Sequence, residues 1–469
     1  MTIDGRAVAA ESTFDVINPA TGAAFAKAPD CSRAELDEAV AAARRAQPAW
    51  AALPFEQRRE KVAALSKILE ANLDPLMRLL TQENGKPHGD AQGEIVGAAY
   101  YFMTAAQLSL PIDVLEDDDD RRTVIQRVPI GVVGAILPWN FPVLVFAFKV
   151  IPALLAGNAI VCKPSPYTPL TTLVAGKLLA DALPPGLLNI VSGGNDLGAW
   201  MTAHPGIDKI AFTGSSATGK KIMAGAADGV KRISLELGGN DPAIVLPDVD
   251  VEATSQRVFW GAFANNGQIC AAAKRVYVHE DIYDGFLKAL ITHAQGIKIG
   301  DGAMQGVQIG PLQNKMQYDK VKELTADCIA NGYRMHVAGD PPTGAGYFLP
   351  ITIVDNPPDD ARIVVEEQFG PLLPVMKYRD EADVIRRAND SPYGLSASVW
   401  AKDPARAEAI AAQLDVGYVY VNTIHEQPLT APIAGHKQSG LGEENGNVGL
   451  LEYTNARTIT VRKRLAQAA

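Results

Sequence analysis

The chain has 469 residues, 47% of them hydrophobic and 20% charged, with a formal net charge of −10. That length exceeds one ordinary core, so two or three domains are expected. The acidic balance argues against a nucleic-acid-binding footprint, and four widely spaced cysteines (Cys31, Cys162, Cys270, Cys328) argue against a disulfide scaffold or a zinc site.

The first residues, MTIDGRAVAAESTFDV, lack a basic and an apolar leader pattern. A reducing cytoplasm is the expected setting. Helices are predicted over 33–52, 56–83 and 90–109. The acidic run EDDDD at 116–120, followed by Arg121 and Arg122, reads as a solvated turn, because no ligand spacing for calcium surrounds it. A β-rich stretch, RRTVIQRVPIGVVGAILPWN, comes next. The apolar run 143–162 is as long as a membrane span, but Lys149, Pro152, Gly157 and Asn158 interrupt it, so it reads as buried helix and strand.

Strands at GNAIVCKPS, LNIVSG, DKIAFTGS and KRISLELGG then alternate with helices at TPLTTLVAGKLLADALPPG, DLGAWMTAHP and SATGKKIMAGAAD. This rhythm predicts the α/β class, with a parallel sheet covered by helices on both faces and ligands at the C-terminal strand ends. The second half has helices near 281–296, 380–389 and 403–414 among the apolar segments RIVVEEQFGPLLPVMKY, SASVWA and GYVYVN. The final ARTITVRKR predicts a terminal edge strand.

Several short stretches carry chemistry. FTGSSATGKK nearly spells a phosphate-binding P-loop, but Lys221 stands where a magnesium-binding Ser or Thr belongs. Its strand-turn-helix context still suits a diphosphate at a helix N-terminus. GGNDLG at 193–198 fits a loop that lets a ligand approach. In PWNFP, Asn140 is either a helix cap or an amide donor to an oxyanion. In ISLELGGND, Glu236 is either an ion-paired structural residue or a general base. Cys270, in FANNGQICAAAKR, is either a small core residue or a nucleophile made accessible by its small neighbours. G-x-S-x-G, H-E-x-x-H and closely spaced cysteine pairs are missing from the sequence.

The ordered set PWNFP, KPS, FTGS, ELGGNDP, GQIC, EEQFGP, VN and HKQSGLGEENG resembles the NAD(P)-dependent aldehyde dehydrogenase superfamily nearly end to end. The resemblance implies a Rossmann-like cofactor domain (1–107 and 130–238), an α/β catalytic domain (239–438) and a small β oligomerisation element with the tail (108–129 and 439–469). It implies Cys270 as nucleophile, Glu236 as general base, and Asn140 with the Cys270 N–H as oxyanion donors, with Lys149 supporting a proton path. NAD or NADP would be held by Trp139, Lys163, Ser165, Pro166, Gly194, Phe212, Thr213, Gly214, Ser215, Leu237, Glu367 and Phe369. The aldehyde would meet Val145, Phe148, Ile269, His425 and Ile433. No metal is implied.

Two departures matter. Many NAD-preferring members have Glu after K-P-S, where this chain has Pro166, so NADP is expected to be tolerated. Glu443 stands where a basic residue is usual. The VNTIHEQPLTAPI loop carries no arginine, so a neutral apolar aldehyde, aromatic or medium-chain aliphatic, is expected rather than an acid semialdehyde such as succinate semialdehyde. A CoA-acylating dehydrogenase, a cysteine hydrolase and an inert relative are the competing readings. The resemblance also implies a dimer or tetramer, with no nucleic-acid or membrane partner.

Overall fold

The structure is a computed structural model and describes residues 1–428 and 430–463. Its first sheet has eight strands in the order Arg6–Ala7, Thr2–Ile3, Leu188–Ile190, Ala159–Lys163, Val132–Ile136, Lys209–Thr213, Arg232–Glu236 and Gly440–Leu441. The central strands run parallel. The chain moves outward from Val132–Ile136 in one direction and then returns to place Lys209–Thr213 on its other side. That reversal makes a switch point where ligands bind at the strand ends. The segments carrying Asn140, Lys163, Ser215 and Glu236 all follow or end these strands.

The long apolar run resolves as the helix Pro142–Leu155 and the fully buried strand Ala159–Lys163. Gly157, at φ +91°, turns the chain between them, a conformation that favours glycine. Among the described residues no helix is long and apolar enough to cross a membrane.

The second sheet has seven strands in the order Arg334–Ala338, Ile351–Asp355, Leu372–Tyr378, Ala273–His279, Asp241–Val245, Ser396–Trp400 and Tyr418–Val421. Its central strands are buried on both faces. Val276 and Val278 enter one core and Tyr277 the other, as the period of two requires. A third, antiparallel sheet joins Asp113–Asp117, Arg121–Pro129 and Thr454–Arg462. The acidic run closes its hairpin: Asp118 Oδ1 accepts from the backbone N–H groups of Asp120 at 2.8 Å and Arg121 at 2.7 Å. The terminal strand takes in most of ARTITVRKR; residues 464–469 lie outside the described residues.

Two differences from the predicted elements have local causes. The helix expected over 56–83 is three helices, Phe55–Ala64, Ser66–Ala71 and Leu73–Asn84. Asn72 leaves helical geometry and turns its amide back onto the Ile68 carbonyl at 2.8 Å, the competition with the helix ladder typical of Asn. The helix Lys315–Ala330 and the strands Arg334–Ala338 and Ile351–Asp355 have no counterpart among the predicted elements. A cap marks the helix: Asn314 Oδ1 accepts from Gln317 N–H at 2.9 Å.

Candidate active site

Asn140 follows the strand Val132–Ile136 and precedes the helix Pro142–Leu155, whose N-cap is Phe141 without a side-chain bond. The cap reading of Asn140 therefore fails. Its Nδ2 donates instead to the Gln268 carbonyl at 2.9 Å, on the loop that carries Cys270. An amide nitrogen has two N–H groups, so it can serve this anchor and a further acceptor.

Glu236 ends the strand Arg232–Glu236 and is buried. Burial pushes its carboxyl well above the usual range; the Glu444 charge adds to this and Lys149 opposes it. Lys149, from the helix Pro142–Leu155, is fully buried and forms an ion pair with Glu444. Glu444 is the polar residue that motif reading missed. Its signal lay beside Glu443, in a loop anchored by reciprocal backbone bonds between Ile433 and Glu444 at 2.7 and 2.8 Å.

The glycines after Glu236 have a steric reason. A Cβ on Gly238 would stand 2.4 Å from Glu367 Oε2, and Glu367 Oε1 accepts from the Gly239 N–H at 3.1 Å. The two glycines let this carboxylate approach the end of the first sheet.

Cys270 lies in a turn, not in a packed strand. The helix Val251–Phe263 ends, and Asn265 and Asn266 take left-handed conformations at φ +49° and +60°. Asn tolerates that region better than most residues. Gly267 follows at φ +73°, where a Cβ would stand 2.4 Å from the Gly370 carbonyl oxygen. The Asn-Asn-Gly lead-in thus builds the loop. Gln268 locks it by donating to Asn265 O at 2.9 Å and accepting from Gln313 N–H at 2.9 Å. Cys270 is half-buried. Desolvation pushes its thiol up to about 12, against the pull of Lys274 and with added repulsion from Glu236. The charges of Glu236, Asp241 and Glu367 all reach the sulfur and favour the thiol, Glu236 most strongly.

The strand ends fit a dinucleotide. Lys163 is buried, and among the described residues its amino group bonds only the Pro164 carbonyl, at 3.4 Å. Burial lowers it to about 8, with Asp30 opposing. A buried ammonium with so weak a partner suits polar ribose atoms. Thr213 Oγ1 is buried without a hydrogen-bond partner among the described residues. Ser215 caps the helix Ser216–Ala226 by accepting from Thr218 N–H at 3.3 Å, leaving a helix N-terminus suited to phosphate. Gly194 faces open space, since a Cβ there would meet nothing within 4 Å. Gly214 lies against the Phe212 ring and Leu237 against Gly219. Ser165 Oγ accepts from Tyr167 N–H at 3.3 Å, and Pro166 is half-buried beside it. Trp139 meets Phe369 edge to face at 5.4 Å, closing the two sheets over the same region.

Of the expected aldehyde contacts, Ile269 is half-buried next to Cys270. His425 Nε2 donates to the Ala271 carbonyl at 3.1 Å, and desolvation lowers the imidazole to about 4. Val145 and Phe148 lie on the helix after Asn140, with Phe148 against Tyr101 at 4.4 Å. Ile433 sits at the bridge to Glu444.

A dinucleotide-type sheet whose strand ends meet a cysteine loop on a second α/β sheet suits a cofactor-dependent enzyme of the α/β class. The sequence profile of the aldehyde dehydrogenase family matches residues 7–459, and the chain belongs to that family. It is 41% identical to a Pseudomonas protein named a probable aldehyde dehydrogenase, over 99% of this chain and 95% of the other. It is 38% identical to the glutarate-semialdehyde dehydrogenase of Pseudomonas aeruginosa, over 96% and 95%. The NAD+ complex of a Bacillus cereus aldehyde dehydrogenase superposes with a TM-score of 0.96 at 35% identity, over 99% and 96%.

Proposed function

We propose that this enzyme oxidises a neutral apolar aldehyde to its carboxylic acid through a thioester on Cys270. The observation that carries the reading is a convergence. The Asn140 amide is anchored on the Cys270 loop at Gln268, and the buried Glu236 carboxyl stands in electrostatic reach of the same thiol.

The Cys270 thiol gives its proton to solvent, and the thiolate attacks the aldehyde carbon. The oxyanion that forms receives N–H groups from Asn140 and the Cys270 backbone. Bound NAD(P)+, held by Lys163, Ser215, Glu367 and their neighbours, supplies the hydride acceptor that makes oxidation to the thioester possible. Glu236 then takes a proton from water as the water oxygen adds to the thioester carbonyl. Collapse of that adduct expels the Cys270 thiolate and releases the acid. The buried Lys149–Glu444 pair, whose charges reach Glu236, suits a route for its proton. Removing the base should separate the two halves. Glu236→Gln mixed rapidly with substrate should release about one equivalent of NAD(P)H per active site and then turn over at least about 10²-fold slower. Linear product formation at the wild-type rate would contradict the role of Glu236.

Neutral substrate is supported by His425. Its Nε2 donates to a carbonyl and its imidazole is neutral near pH 7, so it offers no cation to a distal carboxylate. Higher kcat/KM on succinate semialdehyde than on benzaldehyde would overturn the preference. For the cofactor, the lack of a carboxylate at Pro166 and the buried Lys163 support use of both forms. Steady-state rates with NAD+ and NADP+ should lie within about tenfold of each other, less than the discrimination a dedicated charged contact gives; a strict NAD+ requirement would count against this.

We further propose the division into cofactor (1–107 and 130–238), catalytic (239–438) and oligomerisation (108–129 and 439–469) parts, in a dimer or tetramer. Support for assembly comes from exposed Val96, Tyr100 and Met103 on one helix, and from exposed Val114 and Leu115. The four free cysteines support a cytoplasmic site, which cell fractionation checks.

A further inference from the structure

A buried ion pair remains that the mechanism above does not use. The side chains of Lys86 and Glu94 have no exposed surface and bond to each other. Such a pair is weak evidence of stabilisation, since desolvation offsets the attraction. Its other contacts converge on one segment. Lys86 Nζ donates to the Asn140 carbonyl at 2.8 Å and lies 4.0 Å from the Phe141 ring centroid. Glu94 Oε1 accepts from the N–H groups of Val143 at 2.8 Å and Leu144 at 3.2 Å. These open the helix Pro142–Leu155, which lacks a cap of its own. Nearby, Asn84 Nδ2 donates to the Trp139 carbonyl at 2.7 Å. From the other side Asn265 Nδ2 donates to the Asn140 carbonyl at 3.2 Å.

We infer that Lys86 and Glu94 are positioning residues that hold the Asn140 amide on the Cys270 loop, so that its donor is in place before an oxyanion forms. The inference rests on the oxyanion role proposed for Asn140. Neither residue acts on the reacting atoms directly; both act through the backbone of residues 140–144. Their opposite charges sit together, so the pair contributes geometry more than field. Misplacement of such a group by about 1 Å can cost up to about 10²-fold in rate.

The test is a cycle with the neutral variant Lys86→Met/Glu94→Gln. Gln keeps an acceptor for Val143 and Leu144, no charge is left unpaired, and the bond to the Asn140 carbonyl is lost. It is compared in wild-type and Asn140→Ala backgrounds for kcat, benzaldehyde KM, cofactor Kd and Tm. The expected result is about a tenfold loss of kcat in the wild-type background and less than about twofold in Asn140→Ala, with cofactor Kd unchanged. Equal losses in both backgrounds, or no loss in either, overturn the inference. Full kcat in Asn140→Ala alone overturns the oxyanion reading itself, and the inference falls with it. Should the double variant fail to fold, Lys86→Arg keeps the charge and shifts the donor, and the same dependence on background decides.

Discussion

At the residue scale, the site holds two acids whose burial opposes the charged forms their proposed roles need. Cys270 is a thiol pushed up to about 12, and Glu236 is a carboxyl pushed well above its usual range, both chiefly by burial. Glu236 works only when ionised. Its ionised fraction grows as pH rises through its raised pKa, so activity should climb over a window displaced above the ordinary carboxylate range. The pH profile of kcat checks this, and Lys149→Met should move the acidic limb further up, because Lys149 favours the charged form. An acidic limb at ordinary carboxylate pH, unmoved by Lys149→Met, would remove Glu236 as the base. The sequence named Cys270, Glu236 and Asn140 by motif, but their alternatives stayed open because each alternative is a matter of surroundings. Only geometry excludes the cap role of Asn140, since Phe141 occupies the cap and the amide points to Gln268. Glu444 escaped notice because its partner Lys149 is 295 residues away.

At the scale of elements, the decisive features are glycine-bearing turns that bring the two sheets together. Gly238→Ala would place a methyl group 2.4 Å from Glu367 Oε2, so Glu367 must shift. We expect cofactor Kd to rise about tenfold with little change in Tm, measured by fluorescence titration and melting; unchanged Kd would remove Glu367 from the cofactor contacts. Gly267→Ala meets both a positive φ and the Gly370 carbonyl. It should cost about 1–3 kcal/mol in urea unfolding and disturb Cys270 as well. The β-α alternation of residues 159–236 was readable because strand and helix signals there are short and regular. The break at Asn72 within 56–83 was not, because Asn72 ends a helix through its own side chain without any Gly or Pro to mark it. The strand Gly440–Leu441 was equally hidden. Two residues long, it gains its place only by pairing with Leu235 and Glu236.

At the scale of the whole molecule, the strand Thr454–Arg462 is paired on one side, to Arg121–Pro129. Among the described residues its other edge has no strand partner, and Val461 on this strand is exposed. A second subunit covering this edge and the Val96–Tyr100–Met103 stripe would explain both. Val96→Lys with Met103→Glu should lower the mass measured by light scattering, and a wild-type monomer would contradict the assembly. The central claim is narrower and can be tested directly. NAD(P)H formation from benzaldehyde is measured with NAD+ and NADP+ for wild type and Cys270→Ala, after both are shown to be folded and to bind cofactor. We expect turnover in the wild type and a loss of at least about 10³-fold in the variant. Turnover retained in Cys270→Ala would return that cysteine to a structural role and contradict the mechanism.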